Sequence, residues 1–355
     1  MRFPEFSGEW EKCKFGDIAT GFDYGMNAAA KPFDGENKYI RITDIDEASS
    51  TYNDTDIVSP DGSLTDNYVV NDRDILLART GASTGKSYLY RKSDGKLYYA
   101  GFLIRANVTE HNPYFVFSQL HTHRYWRWVS IMSARSGQPG INSQEYSSFP
   151  IFTTSLHEEN KIASLLSRLD ERIATQNKII EKYESLIQAI IYQKKTVGIR
   201  KGNWQKTELS DVLQERIEKN INGHIICSVS VSKGVVNQIE YLGRSFAAKE
   251  TLHYNVVKCG DIVYTKSPTG DFPYGIVKRS YIKDDVAVSP LYGVYMPVND
   301  YIGVILHFYF MQPSNVFNYL HPLIQKGAKN TINITNERFL KNSIPLPKTE
   351  NEASG

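Results

Sequence analysis

The stretch that decides the fold runs from His157 to Lys195 and reads HEENKIASLLSRLDERIATQNKIIEKYESLIQAIIYQKK. It contains neither glycine nor proline over 39 residues. Within it, one set of positions recurs at alternating spacings of four and three residues, which is the period of a coiled coil. These positions are Ile162, Leu166, Leu169, Ile173, Gln176, Ile180, Tyr183, Ile187 and Ile190. The segment therefore predicts a long helix that packs on another helix along this seam, and a helix buried in a globular core is the alternative.

Both ends of this predicted helix carry recognisable signals. Ser155 can cap its start, and Glu158 and Glu159 suit the positive end of the helix dipole. Gly198 and Gly202 are expected to stop it. At 1.5 Å per residue the helix would be about 58 Å long, which is longer than a small domain is wide. We expect a stiff spacer between two parts of the chain.

The sequence on either side of this helix repeats itself in three places, in the same order. Residues of the same chemical type stand at nearly the same offset in each match. The matches are Gly8-Glu-Trp10-Glu-Lys12 with Gly202-Asn-Trp204-Gln-Lys206, Asp74-Ile-Leu-Leu-Ala-Arg79-Thr80 with Asp261-Ile-Val-Tyr-Thr-Lys266-Ser267, and Ile141-Asn-Ser-Gln-Glu-Tyr146 with Ile334-Thr-Asn-Glu-Arg-Phe339. Two ordered copies indicate a duplicated domain.

Each block mixes short strand patterns with helical ones. Alternating or short apolar runs between turn residues are typical of strands, and longer apolar segments that begin near a proline or a polar cap are typical of helices. The predicted strands are 39–45, 88–90, 97–99, 225–231 and 275–277, and the predicted helices are 113–132 and 301–323. Each block is therefore predicted to be an α+β domain.

Composition narrows the class of protein further. The 355 residues include 41 Lys and Arg against 39 Asp and Glu, for a net charge of +2, which excludes a polybasic tail but not a local basic face. Three distant cysteines exclude a disulfide scaffold and a cysteine zinc site. The sequence shows neither a signal peptide nor an apolar run of the roughly 18 residues that a membrane span needs. A soluble, cytoplasmic protein is expected.

The combination of features is similar to the specificity subunit of type I restriction–modification systems. The resemblance rests on the two blocks around a heptad helix, the G-x-W opening of each block, and the segments YIRITDI (39–45), RTGASTGKSYLY (79–90) and SVSVSKGVV (228–236). In that family each repeat is a target recognition domain that reads one half of a bipartite DNA site. Helical spacers set the gap between the halves and dock methyltransferase subunits.

This resemblance implies a non-catalytic, sequence-specific DNA-binding subunit of a bacterial defence complex. No cofactor and no metal are expected on this chain. S-adenosylmethionine, ATP and magnesium are expected on the partner methyltransferase and restriction subunits, which supply methyl transfer and ATP-driven DNA cleavage.

The resemblance also implies a division of the chain. The first target recognition domain is expected at 1–154, the spacer helix at 155–200, the second domain at 201–348 and a short tail at 349–355. Family members carry a second long helix after the second domain, which pairs with the first helix. Because the tail stands at that point, we expect the seam to pair with another copy of the chain or with a partner subunit, and methyltransferase docking is in doubt.

The candidate DNA contacts lie mainly on loops that occur in both repeats. Arg79 corresponds to Lys266 and both follow a predicted strand, and glycine-rich cationic loops precede the last element of each repeat. Arg and Lys suit guanine, and Asn and Gln suit adenine. The candidates are Arg41, Arg79, Thr80, Ser83, Thr84, Lys86, Arg135, Gln138, Asn142, Lys233, Lys266, Ser267, Thr269, Lys326, Lys329 and Asn330. An ordinary solvated side chain is the alternative for each.

The segment Gly81-Ala-Ser-Thr-Gly85-Lys86-Ser87 resembles a Walker A loop, but three residues separate its glycines where four are required. The matching segment, Lys266 to Asp271, has no Gly-Lys pair. We expect a turn beside DNA, in which glycines allow close approach and Lys86 neutralises a phosphate. A glycine-rich turn that touches nothing is the alternative.

Other patterns give little support to an enzyme. Asn112–Phe115 and Ser289–Tyr292 are similar to the amino-methyltransferase motif but lack its second proline, so strand or helix starts are expected there. His121 and His123 would lie on different faces of a helix, which argues against a metal site. The competing hypothesis is an adaptor with two binding domains on a coiled-coil spacer that does not bind DNA.

Overall fold

The computed structural model describes two compact units. They comprise residues Met1–Asn177 and Lys178–Gly355, and each holds one of the repeated blocks and part of the long helix. The residues whose structure is described are 2–134, 140–242, 250–326 and 332–349. Among them, no helix is both long enough and apolar enough to cross a membrane.

The first unit alternates short strands with short helices. Its strands are β1 (Glu11–Lys14), β2 (Ala19–Tyr24), β3 (Ala29–Pro32), β4 (Lys38–Ile40), β5 (Val58–Asp61), β6 (Asp74–Ala78), β7 (Ser87–Leu89), β8 (Leu97–Tyr99), β9 (Leu103–Val108) and β10 (Pro150–Thr153). Its helices are α1 (Phe15–Ile18), α2 (Pro113–Gln119), α3 (His123–Ser133), α4 (Ser143–Ser147) and the first part of α5 (Leu156–Lys201).

The second unit follows the same plan. Its strands are β11 (Trp204–Glu208), β12 (Leu213–Glu215), β13 (Ile225–Ser230), β14 (Gly234–Asn237), β15 (Asn255–Val257), β16 (Ile262–Tyr264), β17 (Val277–Arg279), β18 (Val286–Val288), β19 (Gly293–Pro297), β20 (Gln325–Lys326), β21 (Ile332–Asn333) and β22 (Ser343–Pro347). Its further helices are α6 (Gln238–Leu242), α7 (Asp300–Phe310), α8 (Pro313–Leu320) and α9 (Asn336–Phe339).

A four-stranded antiparallel sheet forms the centre of each unit, and the two sheets have the same topology. The strand order is β2-β9-β6-β7 in the first unit and β12-β19-β16-β17 in the second. The first and last strands of each repeat also pair antiparallel, β1 with β10 and β11 with β22. Each unit adds one parallel pair, β4 with β8 and β13 with β18. The duplication predicted from the sequence is therefore present in the fold.

The aspartate that the repeats share fixes the turn into the central strand. The Asp74 carboxylate accepts a hydrogen bond from the backbone N–H of Asn71 at 2.7 Å, and Asp261 accepts one from Lys258 at 2.8 Å. Both carboxylates are buried. Burial raises the pKa of Asp74, and hydrogen bonds from Asn107 and Asn71 oppose that rise. A carboxylate that accepts a hydrogen bond from the N–H three residues before it fixes this turn, which explains why the position is repeated.

Each central sheet packs its apolar face against the helices that follow it. Ile75, Leu77 and Ile104 lie in the core of the first unit. Tyr264 and Leu306 lie in that of the second. Burial of these side chains is the main stabilising term in each unit.

Two of the strand predictions are wrong at one end. The strand predicted at 39–45 ends at Ile40, and a 3-10 turn follows, because the Asp44 carboxylate accepts hydrogen bonds from the Arg41 N–H and guanidinium. The strand predicted at 275–277 starts only at Val277, because Gly275 has a φ of +98°. The strands predicted at 88–90, 97–99 and 225–231 are confirmed as β7, β8 and β13.

The two predicted helices at 113–132 and 301–323 are each broken in the middle. In the first unit, Thr122 caps a new helix by accepting a hydrogen bond from the N–H of Tyr125 at 3.3 Å. In the second, Pro313 occupies the first turn of α8, where its missing N–H costs nothing. Pro113 does the same at the start of α2, as predicted.

Helix α5 extends six residues beyond the 157–195 segment that has neither glycine nor proline, and one of the two expected stop signals lies inside it. Its start is confirmed, since the Ser155 hydroxyl accepts a hydrogen bond from the N–H of Glu158 at 3.3 Å. Gly198, predicted to stop the helix, lies within it and is buried; a Cβ at this position would come within 2.0 Å of Trp204 Cδ1. Gly202, with a φ of +75°, follows the last helical residue and ends the helix.

Candidate nucleic-acid interface

One edge of the central sheet in the first unit collects the candidate loop residues. Strands β2 and β6 end at this edge and strands β7 and β9 begin there. We call residues 79–86 and 100–102 the edge loops of the first unit. In the second unit, the corresponding edge loops are residues 265–275 and 289–292, because β16 ends and β17 and β19 begin there.

Arg79 is the best-positioned cation at this edge. Its guanidinium carbon lies 4.7 Å from the centroid of the Tyr24 ring, and Tyr24 is an exposed residue at the end of β2. The Arg79 backbone N–H donates to Phe102 O at 3.0 Å, and its carbonyl accepts from the Ile141 N–H at 2.9 Å. A guanidinium that stacks through its face keeps its N–H edge directed outward for phosphate or base contacts. The sequence predicted Arg79 but missed Tyr24, since their contact joins distant segments.

Two buried tyrosines, Tyr146 and Tyr125, hold the backbone of the 79–86 loop through hydrogen bonds from their hydroxyl groups. The Tyr146 hydroxyl donates to Ala78 O at 2.6 Å and accepts from the Gly85 N–H at 3.2 Å. The Tyr125 hydroxyl donates to Gly85 O at 2.8 Å. Burial raises the pKa of both tyrosines, which keeps both hydroxyls protonated. The loop is therefore a preorganised turn.

The polar candidates within this loop have different surroundings. Thr84 is buried and its hydroxyl donates to Gly81 O at 2.8 Å, so its side chain serves the turn. Ser83 is only partly exposed. The Lys86 ammonium lies 3.5 Å from a Glu47 carboxylate oxygen, which partly neutralises it.

The same loop lacks the geometry of a nucleotide-binding loop. A P-loop leads from a strand into a helix whose N-terminus holds the phosphates. Here Gly81–Ser83 form a 3-10 turn, and strand β7 follows at Ser87. Strand β7 in place of a helix adds to the spacing argument against ATP binding.

The second candidate loop of the first unit adjoins the first one. Thr80 forms a β-bridge with Gly140, and the Asn142 side-chain oxygen accepts from the Glu145 N–H at 2.9 Å to cap α4. Arg135 and Gln138 lie outside the described residues. The structure therefore brings Thr80 and the 140–142 segment together.

Arg41 and Lys233 are less well placed than Arg79 to contact DNA. Two nitrogens of the Arg41 guanidinium donate to Asp44 at 2.8 Å each, and this hydrogen bonding raises the pKa of Arg41. Lys233 is exposed, with its ammonium 5.7 Å from the centroid of the Tyr241 ring. Arg41 is thus engaged in stabilising its own turn.

In the second unit, Lys266 occupies the position of Arg79. Its backbone has a φ of +60°, which is strained for a residue with a side chain. Burial lowers the pKa of Lys266, and the nearby Glu215 opposes this shift. Ser267 and Thr269 on the same loop are exposed.

The glycine that matches Gly85 is Gly275, which lies beyond the segment from Lys266 to Asp271 that the sequence comparison matched; Gly270 is the glycine inside that segment. The backbone pairing is the same in both repeats, since the N–H of Ala78 donates to Lys86 O at 2.8 Å and that of Thr265 donates to Ile276 O at 3.1 Å. Gly85 and Gly275, with φ values of +94° and +98°, both precede the returning strand. A longer loop in the second repeat concealed this match.

The last group of candidates in the second unit is only partly described. Lys326 ends β20, which pairs antiparallel with β21. Lys329 and Asn330 lie outside the described residues.

The seam of helix α5 is exposed over its middle part. Leu169, Ile173, Ile180, Tyr183 and Ile190 are exposed large apolar residues, and Gln176 is exposed with them. Ile162, Leu166 and Ile187 are partly buried. A contiguous apolar stripe of this kind is typical of a helix surface that packs on another helix.

The two histidines considered as metal ligands have other roles. His121 Nε2 lies 2.9 Å from Ser50 Oγ, and His123 is the first residue of α3. Within the described ranges, no group of three or more His, Cys, Asp or Glu residues is placed to hold a metal ion. Asn112 and Pro113 cap and start α2, as expected, whereas Ser289–Tyr292 is a turn between β18 and β19.

Comparison with known proteins identifies the class to which this architecture belongs. The family model described as the type I restriction modification DNA specificity domain matches residues 7–185. The crystal structure of the S subunit of a type I restriction–modification system from M. genitalium has a similar fold, with a TM-score of 0.56, 11% sequence identity, and 97% of this chain and 86% of that chain covered. The HsdS subunit from Thermoanaerobacter tengcongensis matches at 12% identity over the same shares of the chains, with a TM-score of 0.36.

The chain belongs to the family of type I restriction modification DNA specificity domains. It is a sequence-specific DNA recognition subunit of a type I restriction–modification system. The family model covers the first repeat and much of helix α5, and the shared topology of the two central sheets extends the same architecture to the second repeat.

Proposed function

We propose that each unit reads one half of a bipartite DNA target through its edge loops. The observation that carries this proposal is the duplicated edge. Arg79 follows β6 in the first central sheet, and Lys266 follows shortly after the equivalent strand, β16, in the second. A cation on a turn that its own domain holds in place suits contact with phosphates and with guanine. Two such edges in one chain fit a target with two recognised halves.

Helix α5 has two functions in this proposal: it sets the spacing between the half-sites, and its exposed seam docks methyltransferase subunits. A helix of 46 residues gives a fixed length, so half-site spacing becomes part of the specificity. A partner helix that packs on the apolar seam buries side chains that are otherwise exposed to water. Restriction subunits complete the complex in the cytoplasm, and S-adenosylmethionine, ATP and magnesium bind on the partner subunits, since this chain contributes recognition and no catalytic group.

The near balance of charge fits a subunit that binds DNA weakly by itself. With a net charge of +2, long-range attraction to DNA is small, and the candidate cations are few. Methyltransferase subunits would then enclose the DNA and raise its affinity. Two half-sites on one chain strengthen binding further when the geometry lets both engage at once.

Methylome sequencing of a host with and without this chain tests the proposal. We expect a methylated motif of two specific halves separated by a fixed gap, which disappears when the chain is absent. In a second measurement, binding of the methyltransferase complex to a duplex carrying that motif should weaken steeply with added salt. If no motif depends on the chain and no salt-dependent binding is found, the proposal that the edge loops read two half-sites is wrong.

A further inference from the structure

The turns that lead into strands β9 and β19 carry an exposed apolar residue at the same position. In the first unit, Ala100 to Leu103 form a turn in which the Leu103 N–H donates to Ala100 O at 2.8 Å. In the second, Ser289 to Tyr292 form the same turn, with the Tyr292 N–H donating to Ser289 O at 3.1 Å. The third residue of each turn is large, apolar and exposed: Phe102 at 58% and Leu291 at 72%.

Each of these residues matches in position the cation that follows the central strand. In the first sheet, Ala78 pairs with Leu103, and the Arg79 N–H donates to Phe102 O at 3.0 Å in the next position of the register. In the second sheet, Tyr264 pairs with Gly293, and Lys266 and Leu291 each lie two positions beyond this pair. The two repeats therefore share a cation and an exposed apolar residue at matching positions on the edge loops.

Both turns are held in place by hydrogen bonds to another segment of the same unit. The Gly101 N–H donates to Met26 O at 2.8 Å, and the Asn255 side chain donates to Tyr292 O at 2.9 Å. Turn tips normally carry polar or small residues, because an apolar side chain there remains in water. A fixed, solvated Phe102 in one repeat and Leu291 in the other point to a ligand that covers both residues.

We propose that Phe102 and Leu291 contact thymine in the DNA target, one residue in each half-site. The inference rests on the proposed DNA-reading role of the edge loops and names the group they recognise. Among the base edges in the major groove, the 5-methyl group of thymine is the apolar one. The adjacent Arg79 or Lys266 binds phosphate or guanine while the apolar tip packs against the methyl group.

The test uses the full chain in complex with its methyltransferase and the motif found by methylome sequencing. Phe102→Ala and Leu291→Ala should each lower the affinity for the target duplex by about fivefold to tenfold. Phe102→Ala should relax the methylated motif in one half only, and Leu291→Ala in the other half only. Val298→Ala changes a similarly exposed apolar residue at the opposite end of β19, and should leave both motif and affinity unchanged.

Replacing thymine by uracil in one half-site removes the methyl group alone. This replacement should weaken binding of the unaltered complex about fourfold and have little effect on the variant whose apolar residue faces that half. Unchanged motifs and affinities in both variants overturn the inference, and so does a loss of affinity that does not depend on uracil, which would indicate a wedge between base steps. Absence of any motif in the unaltered system would instead contradict the proposed function.

Discussion

Arg79 and Lys266 occupy one position in two copies of the same fold, but each repeat holds its cation differently. Arg79 has an extended backbone that continues the sheet and a side chain stacked on Tyr24. Lys266 has a φ of +60° and a half-buried side chain whose pKa is lowered by burial. The position of the charge is kept while its supports have changed, which is what a shared function of that position would produce.

The two repeats also hold helix α5 by different forces. At the first, the buried Glu158 carboxylate accepts hydrogen bonds from Arg2, Trp10 and Thr154. At the second, Gly198 lets Trp204 pack directly on the helix. One attachment is electrostatic and the other depends on shape, so they should respond to different perturbations.

The largest loss of stability is expected from substitution of Gly275, the glycine that ends the 265–275 edge loop of the second unit. Gly275→Ala should lower the free energy of unfolding by about 3 kcal/mol, because the φ of +98° is strained for alanine and its Cβ would come within 2.8 Å of Lys266 N. Gly85→Ala should cost about 2 kcal/mol, because its close neighbours, Val129 and Trp126, are side chains that can shift. Urea denaturation of each variant measures both values.

Gly270→Ala is the control for this comparison. Gly270 has a φ of +51° and, among the described residues, nothing lies within 4 Å of its Cβ position, so the cost should stay near 1 kcal/mol. A larger loss at Gly270 than at Gly275 would show that Gly270 is the true counterpart of Gly85.

The shape-dependent attachment of the helix should be the next most sensitive. Gly198→Ala should destabilise the chain by about 2 kcal/mol, since overlap with the Trp204 ring outweighs the gain in helix propensity. Tryptophan fluorescence during denaturation reports on this contact directly. A neutral or stabilising effect would mean that the Trp204 ring does not pack against Gly198.

The electrostatic attachment should show a dependence on pH. The hydrogen bond from Arg2 lowers the pKa of Glu158 to about 2, from an ordinary value of 4.5. A lowered pKa means that this stabilisation is complete above pH 4.5 and is lost as the pH falls toward 2. Glu158→Gln should therefore lower the melting temperature by several degrees at pH 7, and the difference from the unaltered chain should vanish near pH 2.

Glu171→Gln provides a comparison on the same helix, because Glu171 is exposed. It should leave the melting temperature nearly unchanged at every pH. A constant difference between the Glu158 variant and the unaltered chain across the pH range would contradict the assigned role of the Arg2 pair.

The smallest effect is expected on DNA affinity, when either of the two equivalent cations, Arg79 and Lys266, is removed. Arg79→Ala should weaken binding to the target duplex by about tenfold, and Lys266→Ala by a smaller factor, because Lys266 is half-buried. A gel-shift titration at fixed salt measures both. An equal or larger loss at Lys266 would show that its strained backbone presents the charge as effectively as stacking does.

The features that the sequence predicted correctly depend on regular spacing. The seam of α5 and the ordered matches around Trp10, Asp74 and Tyr146 need only period and order, and both survive in the fold. The prediction that the strand continues beyond Ile40 was wrong, because the Arg41 backbone N–H donates a hydrogen bond to the Asp44 carboxylate. This local hydrogen bond competes with the strand pairing.

The candidate site was predicted only in part, for a related reason. Arg79 and Lys266 follow recognisable strands, so their placement could be predicted. Tyr24, Phe102 and Gly275 become significant only through pairings between distant segments, which propensity and motif spacing do not encode. Thr84 matched a DNA-binding pattern but is turned into its own loop.

The pairing of first and last strands has a consequence for how the chain folds. Strand β1 needs β10, and β11 needs β22, so neither repeat can close before nearly all of it has been synthesised. Such distant contacts slow folding, because the entropy of closing the loop is lost before the contacts form. During translation the first repeat can close while the helix is still emerging, and the second must wait until β22 leaves the ribosome. Until its last strand emerges, each repeat leaves its first strand without a partner and is exposed to misfolding.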